Sequence, residues 1–261
     1  MILTADYHTH TTYSHGKGTV SENAAVAEEK GLKEIAINDH GFSHPAFGIR
    51  PRMLSKMRAD IDAVNECVRP KVIMGVESNL LGESGAIDVK PKYYEYFDTI
   101  SVGFHKFIKY ERIKDWFVFL GKNFLTQTFK KNPSDKLIQL NTKAYIRAIE
   151  KHPIDIITHI NFGVFSDAVE VAKAARDNGV YLELNAKKTH LSDEELFRVA
   201  QTGVRFVIGS DAHSPDRVGE ISLVEKLLDR VSIPHEQIDN IDGRLPVLRF
   251  QAYKREHGIG R

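Results

Sequence analysis

Short apolar runs that end in histidine, glutamate or aspartate recur along this chain, and no other feature restricts its fold as strongly. Met1-Ile2-Leu3 leads into Asp6-Tyr7-His8-Thr9-His10. The design returns as Ile35-Ala36-Ile37-Asn38-Asp39-His40, Val72-Ile73-Met74-Gly75-Val76-Glu77, Thr99-Ile100-Ser101-Val102-Gly103-Phe104-His105, Ile156-Ile157-Thr158-His159 and Phe206-Val207-Ile208-Gly209-Ser210-Asp211-Ala212-His213. Helix-like stretches separate these runs, the rhythm of βα units around a parallel sheet. A closed sheet of parallel strands collects its strand ends at one mouth. Imidazoles and carboxylates far apart in the chain are therefore expected to meet there, and these are the side chains that bind transition metals.

Seven of the 12 histidines (His8, His10, His15, His40, His105, His159 and His213) fall at or just after a strand end. One His-x-His carries little weight by itself, and a single histidine behind a strand is usually a surface or capping residue. Seven at the same kind of position make a set. His152, His190, His235 and His257 fall at a helix end, in a loop or in the tail and are read as outside it, and His44 as a solvated turn residue beside Pro45.

The pattern predicts seven strands, with strand 2 near 33–38 and then 71–76, 98–104, 155–159, 180–184 and 204–209. Helices are expected over 22–30, capped by Ser21 and stopped at Gly31, from Pro51 to Arg69, briefly near 91–96, from a Ser134 cap to Lys151, from Ser166 to Asn178-Gly179, after the capping box Ser192-x-x-Glu195, and over 218–230. No eighth strand is visible in 231–261, where Val247–Glu256 reads as helical. The expected architecture is α/β: a distorted (β/α)7 TIM-like barrel, one domain over 1–261 with a helical tail from about 231. One segment, 106–133, breaks the rhythm. It mixes Phe107, Tyr110, Trp116, Phe117, Phe119, Phe124 and Phe129 with Lys106, Lys109, Arg112, Lys114, Lys122, Lys130 and Lys131. It reads either as a lid-like insertion or as a helix packing its aromatics on the barrel.

Composition excludes several classes. With 36 basic and 35 acidic side chains the formal charge is +1, so no long-range field favours DNA or anionic membranes. The single cysteine, Cys67, allows no intramolecular disulfide and is read as a small buried apolar side chain. No apolar stretch approaches a membrane span and no basic-then-apolar leader opens the chain, so a cytoplasmic protein is expected. There is no Gly-x-Ser-x-Gly, P-loop or dinucleotide fingerprint.

The ordered set His8-Thr9-His10, Asp39-His40-Gly41, Gly75-Val76-Glu77, Phe104-His105, Thr158-His159 and Ser210-Asp211-Ala212-His213 resembles the polymerase-and-histidinol-phosphatase (PHP) family of metal-dependent phosphoesterases, in particular its small stand-alone members. The resemblance runs from residue 6 to about 220 and implies a distorted seven-stranded barrel. It also implies that His8, His10, His15, His40, Glu77, His105, His159, Asp211 and His213 bind metal, typically three divalent ions. Glu77 is the expected bridging carboxylate and Asp211 the next; with His213 they form the expected catalytic set. Mixed imidazole and carboxylate donors without a thiolate admit zinc, manganese or iron. Three such ions against two carboxylates leave a positive centre, which favours a strongly anionic substrate.

The expected activity is hydrolysis of a small phosphorylated metabolite, histidinol-phosphate-like or a nucleotide, by metal-activated water attacking phosphorus in line. The alternatives are a 3′–5′ exonuclease or phosphodiesterase, for which 106–133 is the foothold and the neutral charge the counterargument, and a non-catalytic module that keeps metal for stability. An amidohydrolase ranks lower, because that group usually carries a bridging carbamylated lysine at strand 4, which here ends in His105. Asp39 is read as orienting His40 or capping the next turn. Lys17, Arg50, Lys106 and Arg217 lie near strand-end loops, where each is either a phosphate contact or a solvated charge. Glu183 and Asn185 flank the end of strand 6 and receive no role. Substrate, physiological metal and oligomeric state are not readable from the sequence.

Overall fold

Seven parallel strands form one sheet in sequence order: β1 (Ala5–Thr9), β2 (Glu34–Ile37), β3 (Lys71–Asn79), β4 (Thr99–Gly103), β5 (Ile156–Ile157), β6 (Tyr181–Asn185) and β7 (Phe206–Gly209). The structure, a computed structural model, describes residues 1–129 and 132–260. Lys130 and Lys131 of the aromatic and basic segment therefore lie outside the described residues. The connecting helices are α1 (Val20–Glu29), α2 (Leu54–Asn65), α3 (Ile113–Asp115), α4 (Asn123–Thr128), α5 (Asp135–Lys151), α6 (Ala168–Asp177), α7 (Asp193–Ala200) and α8 (Ser222–Leu228), with α9 (Arg249–Glu256) in the tail. A π-helical turn, Trp116–Lys122, joins α3 to α4.

The helix starts follow local hydrogen-bond chemistry, with two corrections to the sequence reading. Thr19, not Ser21, caps α1: its hydroxyl accepts the Glu22 N–H while Glu22 reaches back to the Thr19 N–H. Asp167, not Ser166, caps α6, accepting from the backbone of Val169 and Glu170. Ser134 and the Ser192/Glu195 box cap α5 and α7 as expected. Gly31, at φ +71°, ends α1 in the left-handed conformation a side chain disfavours.

The main core lies between sheet and helices, where outward-facing Ile35, Ile37, Val72 and Met74 meet α1 and α2 residues such as Ala24, Met57 and Ile61. The barrel interior is a narrower layer of Ala5, Tyr7, Ala36, Ile73, Ile156, Tyr181 and Val207. Above it, small and large residues alternate around the ring: a methyl group on Gly75 would collide with Asn38, and one on Gly209 with Glu183 and His8.

The ring closes without an eighth strand. At the mouth, Thr9 bridges Ala212 and the His10 N–H donates to the Ala212 carbonyl at 2.8 Å. At the opposite end the segment 238–242, where turn residues had hidden any strand signal, fills the seam between β7 and β1. The Asn240 amide donates to the carbonyls of Ala5 (2.8 Å) and Ile208 (2.7 Å) and accepts the Ile208 N–H (2.8 Å). Of the 106–133 segment, Tyr110, Phe119 and Leu120 are buried, whereas Phe107, Trp116, Phe117, Phe124 and Phe129 are exposed. Packing on the barrel thus accounts for only some of its aromatics.

Asp155 ties β4, β5 and α9 together by accepting from the backbone of Phe250 (2.8 Å) and Ile100 (3.1 Å) and from the Thr99 hydroxyl (2.8 Å). Burial pushes its carboxyl up to about 6, against the hydrogen bonds that lower it. A raised folded-state value means stability that is complete below the unfolded value near 3.8 and is lost as pH climbs through 6. Urea unfolding from pH 4 to 7 should show wild-type stability falling relative to Asp155→Asn by on the order of 1–3 kcal/mol between pH 4 and 6. A pH-independent difference would contradict this.

Candidate metal centre

Glu77 organises the mouth of the barrel. It sits inside β3, fully buried, and its carboxylate faces five imidazoles: His159 Nε2 at 2.6 Å, His40 Nδ1 at 2.9 Å, His105 Nε2 at 3.3 Å, His8 Nε2 at 3.4 Å and His10 Nε2 at 3.8 Å. Asp211 lies 3.6 Å from His10 and 3.2 Å from His213. The His15 ring stacks on His40 at 4.7 Å and meets His213 edge-on at 4.3 Å. All nine residues singled out by the sequence reading converge here, on the rim formed by the C-terminal strand ends.

Simple alternation along β1 would put Tyr7 and Thr9 inside and both histidines outside. The β1–β2 register shifts between Asp6 and Thr9, three residues of β1 facing two of β2. This irregularity turns Tyr7 and His8 both inward, so that His8 and His10 reach the site while Tyr7 stays in the layer beneath. His159 (φ +26°) and Asp211 (φ +50°) adopt left-handed backbone conformations that non-glycine residues avoid, local strain concentrated at the site.

A ring of polar groups fixes these ligand candidates. Glu183 accepts from His8 Nδ1 at 2.5 Å and from the His159 N–H at 2.7 Å. Asn79 contacts His105 Nδ1 at 2.8 Å and is itself held by Asp88. Asp39 binds Thr11 and Ser14, not His40, so it shapes the loop carrying His15. Glu183 had been given no role and Asn79 was missed, because each acts through a histidine from a distant part of the chain. Their inward parity, shared with Tyr181 and Glu77 respectively, was the available signal.

Burial alone would raise Glu77, but the surrounding imidazoles of His105, His8, His159 and His40 hold it well below the carboxylate range. Burial would likewise raise Asp211, which the His8 charge and the adjoining His10 and His213 imidazoles keep well below its ordinary value. Burial drives His40 down to about 3 and His15 to about 4, and lowers His10 as well, so these imidazoles are neutral with lone pairs available. His8 goes the other way: burial lowers it, yet Glu183 and Glu77 raise it further.

The donors fit divalent cations. His8 Nε2, both His10 nitrogens, His15 Nδ1 and His159 Nδ1 are buried with no hydrogen-bond partner among the described residues, a state that costs about 1–3 kcal/mol per group. Ligand atoms of His10, His40 and His213 lie within 4.8 Å of one another, as do those of His8, His159 and Asp211, of His8, His10 and Glu77, and of His40, Glu77 and His105. Each trio could hold one ion, and shared members keep neighbouring ions close.

Above this cluster opens a cavity of about 380 Å³. Lys106 lines it, but Lys17, Arg50 and Arg217 do not. Its walls also include His44 with Phe47, whose rings stack at 4.7 Å, and Phe162 with His190 at 5.1 Å. His44 and His190 are thus cavity residues, although neither joins a trio. Lys187 and Lys188 were missed altogether. They follow the end of β6 directly, but only Lys17, Arg50, Lys106 and Arg217 had been weighed as phosphate contacts.

A closed parallel barrel that buries a carboxylate among imidazoles at its C-terminal mouth is the architecture of a hydrolase working with metal ions. The chain belongs to the PHP domain family, whose profile matches residues 6–214. A probable phosphatase of Acetivibrio thermocellus is 30% identical over 264 residues, covering 97% of this chain and 95% of that protein. A probable phosphatase of Shewanella sediminis is 31% identical over 255 residues, covering 92% and 90%. The fold matches histidinol phosphate phosphatase of Lactococcus lactis, solved with zinc, L-histidinol and phosphate, at a TM-score of 0.56 and 12% identity, covering 89% of this chain and 95% of that one.

Glu183→Gln places an amide N–H against a donor in an otherwise preserved shape. It should lower divalent-cation affinity about 10–100-fold, measured by calorimetric titration, with the circular dichroism spectrum retained. Unchanged affinity would remove Glu183 from the supporting shell.

Proposed function

We propose that this protein is a phosphomonoesterase that hydrolyses a small phosphorylated metabolite at the barrel mouth, with His8, His10, His15, His40, Glu77, His105, His159, Asp211 and His213 holding three divalent transition-metal ions. The observation that carries this reading is the set of buried, unpartnered imidazole nitrogens gathered around the Glu77 carboxylate. The curated relatives named probable phosphatases and the zinc-containing histidinol phosphate phosphatase of the same fold support the phosphate ester as substrate and zinc among the candidate ions.

Divalent cations held there supply Lewis-acid charge and ease deprotonation of water. The protein's own groups do the rest. Glu77 and Asp211 remain ionised, so they act as fixed charges that gather cations rather than as proton donors. The closed wall beneath them, Tyr7, Ile73 and Val207, seals the site from below and confines solvent to the cavity side. Water adds to phosphorus there and the ester oxygen departs as the alcohol. The attacking water supplies the proton that the leaving oxygen takes, by way of solvent on the cavity side, while His213 stays with Asp211 in the set that holds the cations. A histidinol-like or nucleotide leaving group would lie along Phe47 and Phe162.

A second reading, phosphodiester cleavage in single-stranded nucleic acid, draws on the exposed Trp116, Phe117, Phe124 and Phe129 near Lys114 and Lys122. A phosphate-release screen over phosphorylated metabolites, beside short oligonucleotides, separates the two. Release from small monoesters with intact oligonucleotides supports the first.

His10→Ala and Asp211→Ala should each cut phosphate release by about 10³-fold or more while the circular dichroism spectrum persists. Retained turnover in both would overturn the site assignment. Chelator treatment should abolish the wild-type activity, and zinc, manganese or iron(II) should restore it. Activity indifferent to chelation would count against any role for metal.

A further inference from the structure

We propose that Lys187 binds the phosphoryl group and makes the site selective for dianionic phosphate monoesters over monoanionic diesters. The assignment rests on the phosphoesterase reading above.

The Lys187 ammonium lies 3.1 Å from Asp211 Oδ1 and 3.1 Å from His213 Nδ1, beside two groups of the reacting rim. Its backbone is fixed there. Asn185 Oδ1 accepts the N–H groups of both Lys187 and Lys188 at 3.0 Å, while the Asn185 amide donates to Glu183 Oε2 (3.0 Å) and Asp211 Oδ2 (3.3 Å). The lysine turn is thus hung from the same carboxylates that shape the site. Half of the Lys187 side chain is exposed, toward a cavity it helps to line. Lys106, on the same cavity, directs its ammonium to Gln127 at 2.9 Å.

Charge supplies the reason for a cation at this point. A phosphate entering beside Asp211 would place two anions side by side. An ammonium carries three donors, so Lys187 can keep Asp211 as a partner and take a phosphate oxygen as well. Its attraction grows with ligand charge, about twice as strong for a dianion as for a monoanion at equal distance. Losing Lys187 should therefore weaken monoesters more than diesters.

The test uses the metal-loaded full-length protein, Lys187→Met and Lys187→Arg, with p-nitrophenyl phosphate, bis(p-nitrophenyl) phosphate and inorganic phosphate as probes. Lys187→Met should weaken calorimetric binding of inorganic phosphate and raise KM for the monoester by about tenfold or more, change kcat/KM for the diester less than about threefold, and leave metal content by elemental analysis unchanged. Lys187→Arg should recover most of the phosphate binding. Wild-type phosphate affinity in Lys187→Met, or an equal loss on both esters together with metal loss, would overturn the assignment, the latter marking Lys187 as a prop for Asp211. If the wild type cleaves neither ester while Lys187→Met still loses phosphate binding, the phosphoesterase reading falls, the selectivity falls with it, and only the phosphate contact of Lys187 stands.

Discussion

The buried charge of Glu77 is the constraint around which this molecule is arranged. A carboxylate sealed from water carries a penalty of several kcal/mol unless partners surround it. Here they come from β1, β2, β4 and β5 or the turns that follow them, so the carboxylate is tolerable only when the strands are assembled in their native order. β3, at nine residues the longest strand, carries Glu77 inside its hydrogen-bonded length, where it cannot swing out to solvent. Gly103 on the adjoining strand leaves the space: a methyl group there would meet Thr158, His159 and Glu77.

A second tier of acids translates this requirement into loop geometry. Asp6 accepts from the backbone of Ser210 and Gly219 and so ties the start of β1 to the segment behind β7. Asp88 takes the N–H groups of Ser43 and Asn79 and thereby joins the loop after β2 to the end of β3. Asp39 draws in the loop after β1 through Thr11. In each case a side chain grips backbone from a different βα unit. The rim is therefore a mutually braced ring rather than a set of independent loops, which suits ligands that must hold position to a fraction of an ångström.

The sequence exposed the strands and the nine convergent side chains because both follow local rules. Buried parallel strands read as apolar runs, and a barrel places whatever follows them at one end. What it concealed depends on contacts remote in the chain. Glu183 belongs to the site through His8, 175 residues away, and Asn240 closes the ring through Ala5, 235 residues away. Glu183 shows only its strand parity with Tyr181, and Asn240 leaves no periodic trace. The register shift in β1 was equally invisible, since alternation would have turned His8 and His10 away from the centre. Thr19 was legible but passed over: Thr19 and Glu22 have the capping-box spacing that identified Ser192 and Glu195.

The seam at Asn240 makes the closed ring depend on residues remote from one another in the chain. β1 carries His8 and His10, and β7, its neighbour across the gap, is joined to it at the mouth through Ala212 and at the opposite end through Asn240. Without both contacts the sheet would keep two free margins, and the imidazoles of β1 would lose their neighbours from β7. An open seam would therefore scatter this ring of donors as surely as the loss of a strand.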